Sequence, residues 1–208
     1  MRLKKVKGAK EIIEASPYIL KNPEEYKGKY SLLFKNDNPI HLEIGMGKGD
    51  FIIAMAKKYP NINFIGIEMF DSVIVRAIQK LESEDLPNIK LLRFDANEIE
   101  NIMEKEIDTI YLNFSDPWPK NRAAKKRLTS ERFLNRYDNI FKDRNHIIQK
   151  TDNRKLFEYS LMTYSEKGYK IKEISLNLHE DDIENIETEY ERKFSSQGLP
   201  IYMVEVYK

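Results

Sequence analysis

At 208 residues, with 41% hydrophobic and 11% aromatic side chains, the chain has the make-up of one globular domain with a sizeable core and is too short for two comfortable ones. No apolar run approaches the roughly 20 residues that cross a bilayer, and Met1-Arg2-Leu3-Lys4-Lys5 has no apolar stretch behind it, which argues against a signal peptide and for a cytoplasmic protein. The lack of cysteine excludes a disulfide framework and a thiolate metal site, and with no paired histidines no metal is assigned.

The net charge of +1 is no uniform basic coat, but charge is segregated along the chain. Arg2, Lys4, Lys5, Lys7 and Lys10 make a basic N-terminal arm, and Asn22-Pro23-Glu24-Glu25-Tyr26-Lys27-Gly28 has the N-cap, proline and glycine stop of a short helix. Residues 1–35 are therefore expected as arm and short helix, and 36–208 as a single domain. From residue 39 the pattern is regular. Strands are predicted over 39–44, 63–68, 89–95, 109–114 and 146–150, with helices over 50–58, 72–81, 97–105 and 130–141. A last helix, capped by Asp152-Asn153, runs to Lys167 and stops at Gly168. Five strand–helix alternations specify a parallel, doubly wound α/β sheet with helices on both faces. The tail departs from this: 169–178 and 201–207 read as two strands with no helix between them, an antiparallel edge joined by the acidic loop 180–191.

Ligands of such sheets bind at the carboxyl ends of the strands. Glu43, Glu68, Asp95 and Asp116 end four successive predicted strands. The loop Gly45-Met46-Gly47-Lys48-Gly49 matches neither the dinucleotide fingerprint nor the phosphate loop, yet its glycines let backbone approach a ligand closely. Glu68 lies about 20 residues on, where an acid accepts from ribose hydroxyls, a spacing shared by NAD and S-adenosylmethionine sites. An acidic rim repels a diphosphate and suits a cationic sulfonium, which favours S-adenosylmethionine. Beyond the fourth strand, Asn113-Phe114-Ser115-Asp116-Pro117-Trp118-Pro119-Lys120 joins an acid and the sole tryptophan to the cations Lys120, Arg122, Lys125, Lys126 and Arg127, a place for a base and its phosphates.

On these residues the chain resembles the bacterial tRNA (guanine-N7)-methyltransferases, from about Asn36 to the C-terminus. The resemblance is carried by Glu43-Ile44-Gly45-Met46-Gly47-Lys48-Gly49, Phe64-Ile65-Gly66-Ile67-Glu68, the Asn113–Lys120 segment, Lys150-Thr151-Asp152-Asn153 and Thr188-Glu189-Tyr190-Glu191. It implies a Rossmann-like methyltransferase fold with a seven-stranded, mostly parallel sheet, and methyl transfer from S-adenosylmethionine to N7 of a guanine in the tRNA variable loop. It also implies cofactor contacts at Glu43, Gly45, Gly47, Glu68, Asp95 and Asp116, the last also catalytic. Guanine or tRNA contacts are implied at Lys120, Asp152, Thr188, Glu189, Tyr190 and Glu191, and an RNA-binding run at Arg122, Lys125, Lys126 and Arg127. The family's histidine after the arginine matching Arg122 is here Ala123. The partner implied is tRNA, with no membrane, for a monomer or homodimer.

Guanine N7 attacks through an in-plane lone pair and sheds no proton first, so no general base is needed. The site must align the reactants and tolerate positive charge on the purine, a task for Asp116, with Asp152 or Glu191 accepting from the guanine N1–H and amino edge. Asp152 equally suits a helix N-cap, and Trp118 either stacks on the base or packs between its prolines. His41, His146 and His179 read as structural. The alternatives are a methyltransferase for another RNA or base position and, further off, a nicotinamide-dependent oxidoreductase.

Overall fold

The structure is a computed structural model that describes residues 6–208; Arg2, Lys4 and Lys5 of the basic arm lie outside the described residues. The first helix among the described residues is α1 (Ala9–Ala15), which the sequence reading leaves out. An extended segment then pairs with the third strand, Leu91 N donating to Tyr18 O (2.8 Å) and Leu20 N to Leu91 O (3.0 Å). Pro23–Tyr26 forms the expected helical turn, as 3-10 helix, and α2 is Ser31–Phe34. Tyr30 and Phe34 are buried in the main apolar cluster.

The seven strands are β1 (Ile40–Ile44), β2 (Asn63–Glu68), β3 (Ile89–Arg93), β4 (Thr109–Asn113), β5 (His146–Thr151), β6 (Lys170–Ser175) and β7 (Tyr202–Tyr207). The long helices are α3 (Asp50–Lys58), α4 (Asp71–Leu81), α5 (Glu131–Ile140) and α6 (Arg154–Glu166). Predicted helix 97–105 is instead a 3-10 segment, Ala96–Asn101, broken at Glu98. The sheet order is β3-β2-β1-β4-β5-β7-β6, parallel except for β7, which runs antiparallel to both neighbours. This is the expected α/β sheet with its antiparallel element.

Strand alternation explains the two layers. Leu42, Ile65, Ile110 and Ile147 point to the face covered by Phe133 and Tyr137 of α5 and Phe157 and Tyr164 of α6. Phe64, Leu91 and Tyr111 point to the face covered by Phe51 and Ile52 of α3 and Ile74 and Ile78 of α4. The parallel strands are buried on both faces, so β2 is apolar throughout except at its ends.

A second expectation fails. The segment joining β6 to β7 is not only a loop: α7 (Glu189–Ser195) lies within it. It starts with a capping box, in which Thr188 Oγ1 accepts from Glu191 N (2.8 Å) while the Glu191 carboxylate accepts from Thr188 N (3.3 Å). Three lysines staple this acidic stretch to the domain: Lys48 to Glu189 (2.8 Å), Lys58 to Glu184, and Lys150 to Glu191 (2.7 Å).

Candidate active site

At the carboxyl ends of β1 to β4 a cavity of about 730 Å³ opens, walled by Gly45, Glu68, Asp95, Asp116 and Trp118. That volume is in the range of a small-molecule cofactor site. Gly45 and Gly47 sit at φ of 78° and 58°, and a Cβ on either would meet nothing within 4 Å, so the loop offers bare backbone to open space. Glu68 Oε2 accepts from Gly47 N (3.2 Å) and Oε1 from Phe70 N (3.0 Å), which locks the loop to the end of β2. Burial pushes the Glu68 pKa up, and these backbone N–H groups oppose the rise. Asp95 caps the 3-10 segment by accepting from Asn97 N (2.9 Å).

Glu43 and Gly47 are off the cavity wall. Glu43 is 2% exposed inside β1. Its compensation comes from 70 residues away: Asn113 Nδ2 donates to Oε1 (2.9 Å). Its Oε2 is buried with no partner. Burial raises its pKa to about 7, against the pull of Asn113 and the Lys150 ammonium. An unpaired carboxylate oxygen behind the glycine loop is an acceptor in waiting for a cationic or N–H-bearing ligand.

The β4 exit is strained. Phe114 and Trp118 hold φ of 51° and 41° without being glycine, at about 1–2 kcal/mol each. Phe114 N donates to Lys150 O (2.8 Å), and Arg127 donates to Pro117 O (3.0 Å) and Trp118 O (3.1 Å). Lys126 Nζ sits 4.6 Å from the centre of the Trp118 ring. Lys125, Lys126 and Arg132 also line the cavity, so its wall is not purely acidic as the strand ends alone imply. Ala123 is half-buried in the 3-10 turn Asn121–Lys126, and Lys120, Arg122, Lys125 and Lys126 are exposed.

Asp116 and Asp152 both lie near enough to Tyr190 to bear on its phenol. The Tyr190 phenol is pushed up by partial burial and further by the Asp152 and Asp116 carboxylates. Its ring packs on Phe114 (5.1 Å) and Phe194 (4.4 Å) while staying 46% exposed. The helix cap is Asn153, whose Oδ1 accepts from Leu156 N (2.9 Å). Among the described residues no hydrogen bond or ion pair engages the Asp152 side chain, which leaves it available to a ligand.

The Thr188–Glu191 segment divides. Thr188 caps α7, Glu189 pairs with Lys48, and Tyr190 faces the site. Glu191 is 0% exposed and points inward to Lys150 Nζ, which also donates to Asn185 Oδ1 and Ile186 O, both at 2.9 Å. His179 Nε2 stands 3.2 Å from Glu191 Oε1. Lys150, Asn113 and Phe114 lie in segments that carry the resemblance but are given no site role from the sequence. The available signal was a lysine within a strand that the pattern reads as buried. A second cavity of about 180 Å³, lined by Tyr111, Lys150 and Glu205, contains none of the predicted site residues.

Comparison with known proteins supplies the remaining context. Residues 37–204 match a family model described as "Putative methyltransferase". A protein of Geobacillus sp. (strain WCH70) named tRNA (guanine-N(7)-)-methyltransferase is 52% identical over 209 residues, covering 99% of this chain and 95% of that protein. A Bacillus subtilis (strain 168) protein of the same name is 51% identical over 197 residues, covering 94% and 92%. Among solved structures, an antibiotic-related methyltransferase superposes with a TM-score of 0.66 at 15% identity, covering 87% of this chain and 92% of the other. A SAM-dependent methyltransferase from Aquifex aeolicus superposes at 0.57 with 14% identity, covering 98% and 99%. These structural matches establish the fold.

Proposed function

We propose a residue-level reading of the site for this chain, which belongs to the tRNA (guanine-N(7)-)-methyltransferase family. The protein is an S-adenosylmethionine-dependent enzyme that methylates guanine N7 in tRNA, and the reading places its target in the variable loop and its work in the cytoplasm. No helix among the described residues is long and apolar enough to cross a membrane.

Glu68 and Asp95 hold the adenosine part of the cofactor in the 730 Å³ cavity, and Gly45 on its wall, with Gly47 just beyond it, admits the amino-acid part against backbone. Glu43, buried in β1 behind that loop, keeps Oε2 free to accept from the amino end of the cofactor. When bound, the cofactor supplies an electrophilic methyl group on a sulfonium.

Asp116 stands exposed on the cavity wall, where its carboxylate favours positive charge moving onto the purine. Asp152 accepts from the guanine N1–H and amino edge, since Asn153 has taken over the helix cap. Glu191 is assigned no base contact, because it is fully buried against Lys150. Tyr190 offers its exposed ring as the wall of the base site. Lys120, Arg122, Lys125 and Lys126 meet tRNA phosphates.

The observation that carries the reading is the placement of Asp116 on the cavity wall beside Phe114, against which the Tyr190 ring packs. The test is transfer of a labelled methyl group to tRNA followed by strand cleavage specific for 7-methylguanosine. Asp116→Ala lowers single-turnover transfer by more than about tenfold, or roughly 1.4 kcal/mol of barrier; a smaller loss removes Asp116 from the chemistry.

A further inference from the structure

The run Lys120 to Arg127 carries five cations that are equivalent in sequence. The structure sets one apart. Lys120, Arg122, Lys125 and Lys126 are exposed, whereas Arg127 is half-buried and turned back on the chain. Its Nε donates to Pro117 O at 3.0 Å and its Nη2 to Trp118 O at 3.1 Å. Its guanidinium carbon lies 4.2 Å from the centre of the Tyr159 ring on α6. Two charge-assisted bonds from one planar fork are directional, and the ring beneath fixes the plane.

The two carbonyls it grips flank the Trp118 α-carbon, which holds a φ of 41°. Such a conformation persists only where its surroundings over-determine it. Trp118 in turn walls the large cavity beside Asp116. On the other side, α6 starts directly after the Asp152-Asn153 pair, so Tyr159 belongs to the helix that follows Asp152.

We infer that Arg127 is a positioning residue and not a phosphate contact: it clamps the Pro117–Trp118 turn onto α6 and thereby sets Trp118 and Asp116 at the cavity mouth. This rests on the cofactor reading of that cavity given above. It removes one cation from the set that meets tRNA and gives that cation a task inside the protein.

Trp118 is the only tryptophan, so intrinsic emission reports on this turn directly. Three readouts test the clamp: emission of the free protein, single-turnover methyl transfer, and the slope of log tRNA affinity against log salt. Arg127→Lys keeps the charge but loses the fork. It is expected to shift Trp118 emission and to lower transfer by about tenfold, through misplacement of the turn, with the salt slope at its parental value. Arg122→Ala is expected to do the opposite, making the slope shallower by about 0.7–0.9 with emission unchanged, as loss of one phosphate contact requires. The inference is overturned if Arg127→Lys keeps parental emission and turnover. It is equally overturned if Arg127→Ala makes the slope shallower by about one contact while emission stays parental. Should the alanine variant fail to fold, the lysine variant still decides. Failure of the broader reading would show separately, as a parent protein that transfers no methyl group, because emission and salt slope need no turnover.

Discussion

Replacing Glu191 by glutamine tests whether α7 is held by a buried ion pair. Lys150 and Glu191 are 4% and 0% exposed and 2.7 Å apart. Burial already pulls the Lys150 pKa down, and Glu191 is the largest influence holding it up. Removing the carboxylate strands a buried ammonium with two neutral acceptors, Asn185 Oδ1 and Ile186 O. Loss of one partner of a buried pair costs about 3–5 kcal/mol, which for a chain of this size lowers Tm by roughly 6–20 °C. Thermal unfolding followed by circular dichroism measures it. The double variant Lys150→Met with Glu191→Leu recovers most of the loss, because an apolar pair of similar volume avoids the desolvation cost. A Glu191→Gln protein melting within about 2 °C of the parent, a change below roughly 1 kcal/mol, would refute the lock and return Glu191 to the guanine.

Two further outcomes follow from the same geometry. For Glu43, a folded pKa of about 7 against an ordinary 4.5 means the native state keeps a proton the unfolded chain has lost. Its contribution is full below 4.5 and is lost as pH climbs to 7, a change of roughly 3 kcal/mol; melts of Glu43→Gln at either end should show a flatter pH dependence, and a parental profile would sink the assignment. Asn153→Ala should cost about 1 kcal/mol of stability as a lost helix cap, and Asp152→Ala should leave the melt unchanged while reducing methyl transfer; the reverse pattern in the two assays would restore Asp152 as the cap.

The sheet was legible because its signals are local. Ile40, Leu42 and Ile44 alternate, Phe51, Ile52 and Met55 recur at helical spacing, and β1, β2, β4 and β5 are each followed by a helix. Helix α7 was missed although Thr188-x-x-Glu191 is a capping box, because seven residues in an acidic run show too little apolar period to reveal a helix. The burial of Glu43 could not be foreseen: its compensating group, Asn113, is distant in sequence and becomes a neighbour only once β1 and β4 pair. Arg127 was indistinguishable from Lys125 and Lys126, since its partners are backbone carbonyls placed by a left-handed turn. Asp116, Asp152 and Tyr190 were all named from sequence, while the assignment of the cap to Asn153 and the inward turn of Glu191 needed the fold.

The placement of β7 between β5 and β6 has a consequence for synthesis. A nascent chain folds as it emerges, at about 5–20 residues per second. Strands β1 to β5 can zip together in parallel as they appear, but β6 has no neighbour until β7 arrives and runs back between them. Until then its exposed Ile171 and Ile174 lie on an unpaired strand, and Val204 and Val206 are missing from the core. β7, the last of these seven strands, is thus a keystone, and until it seats β6 stays open to chaperones and to aggregation.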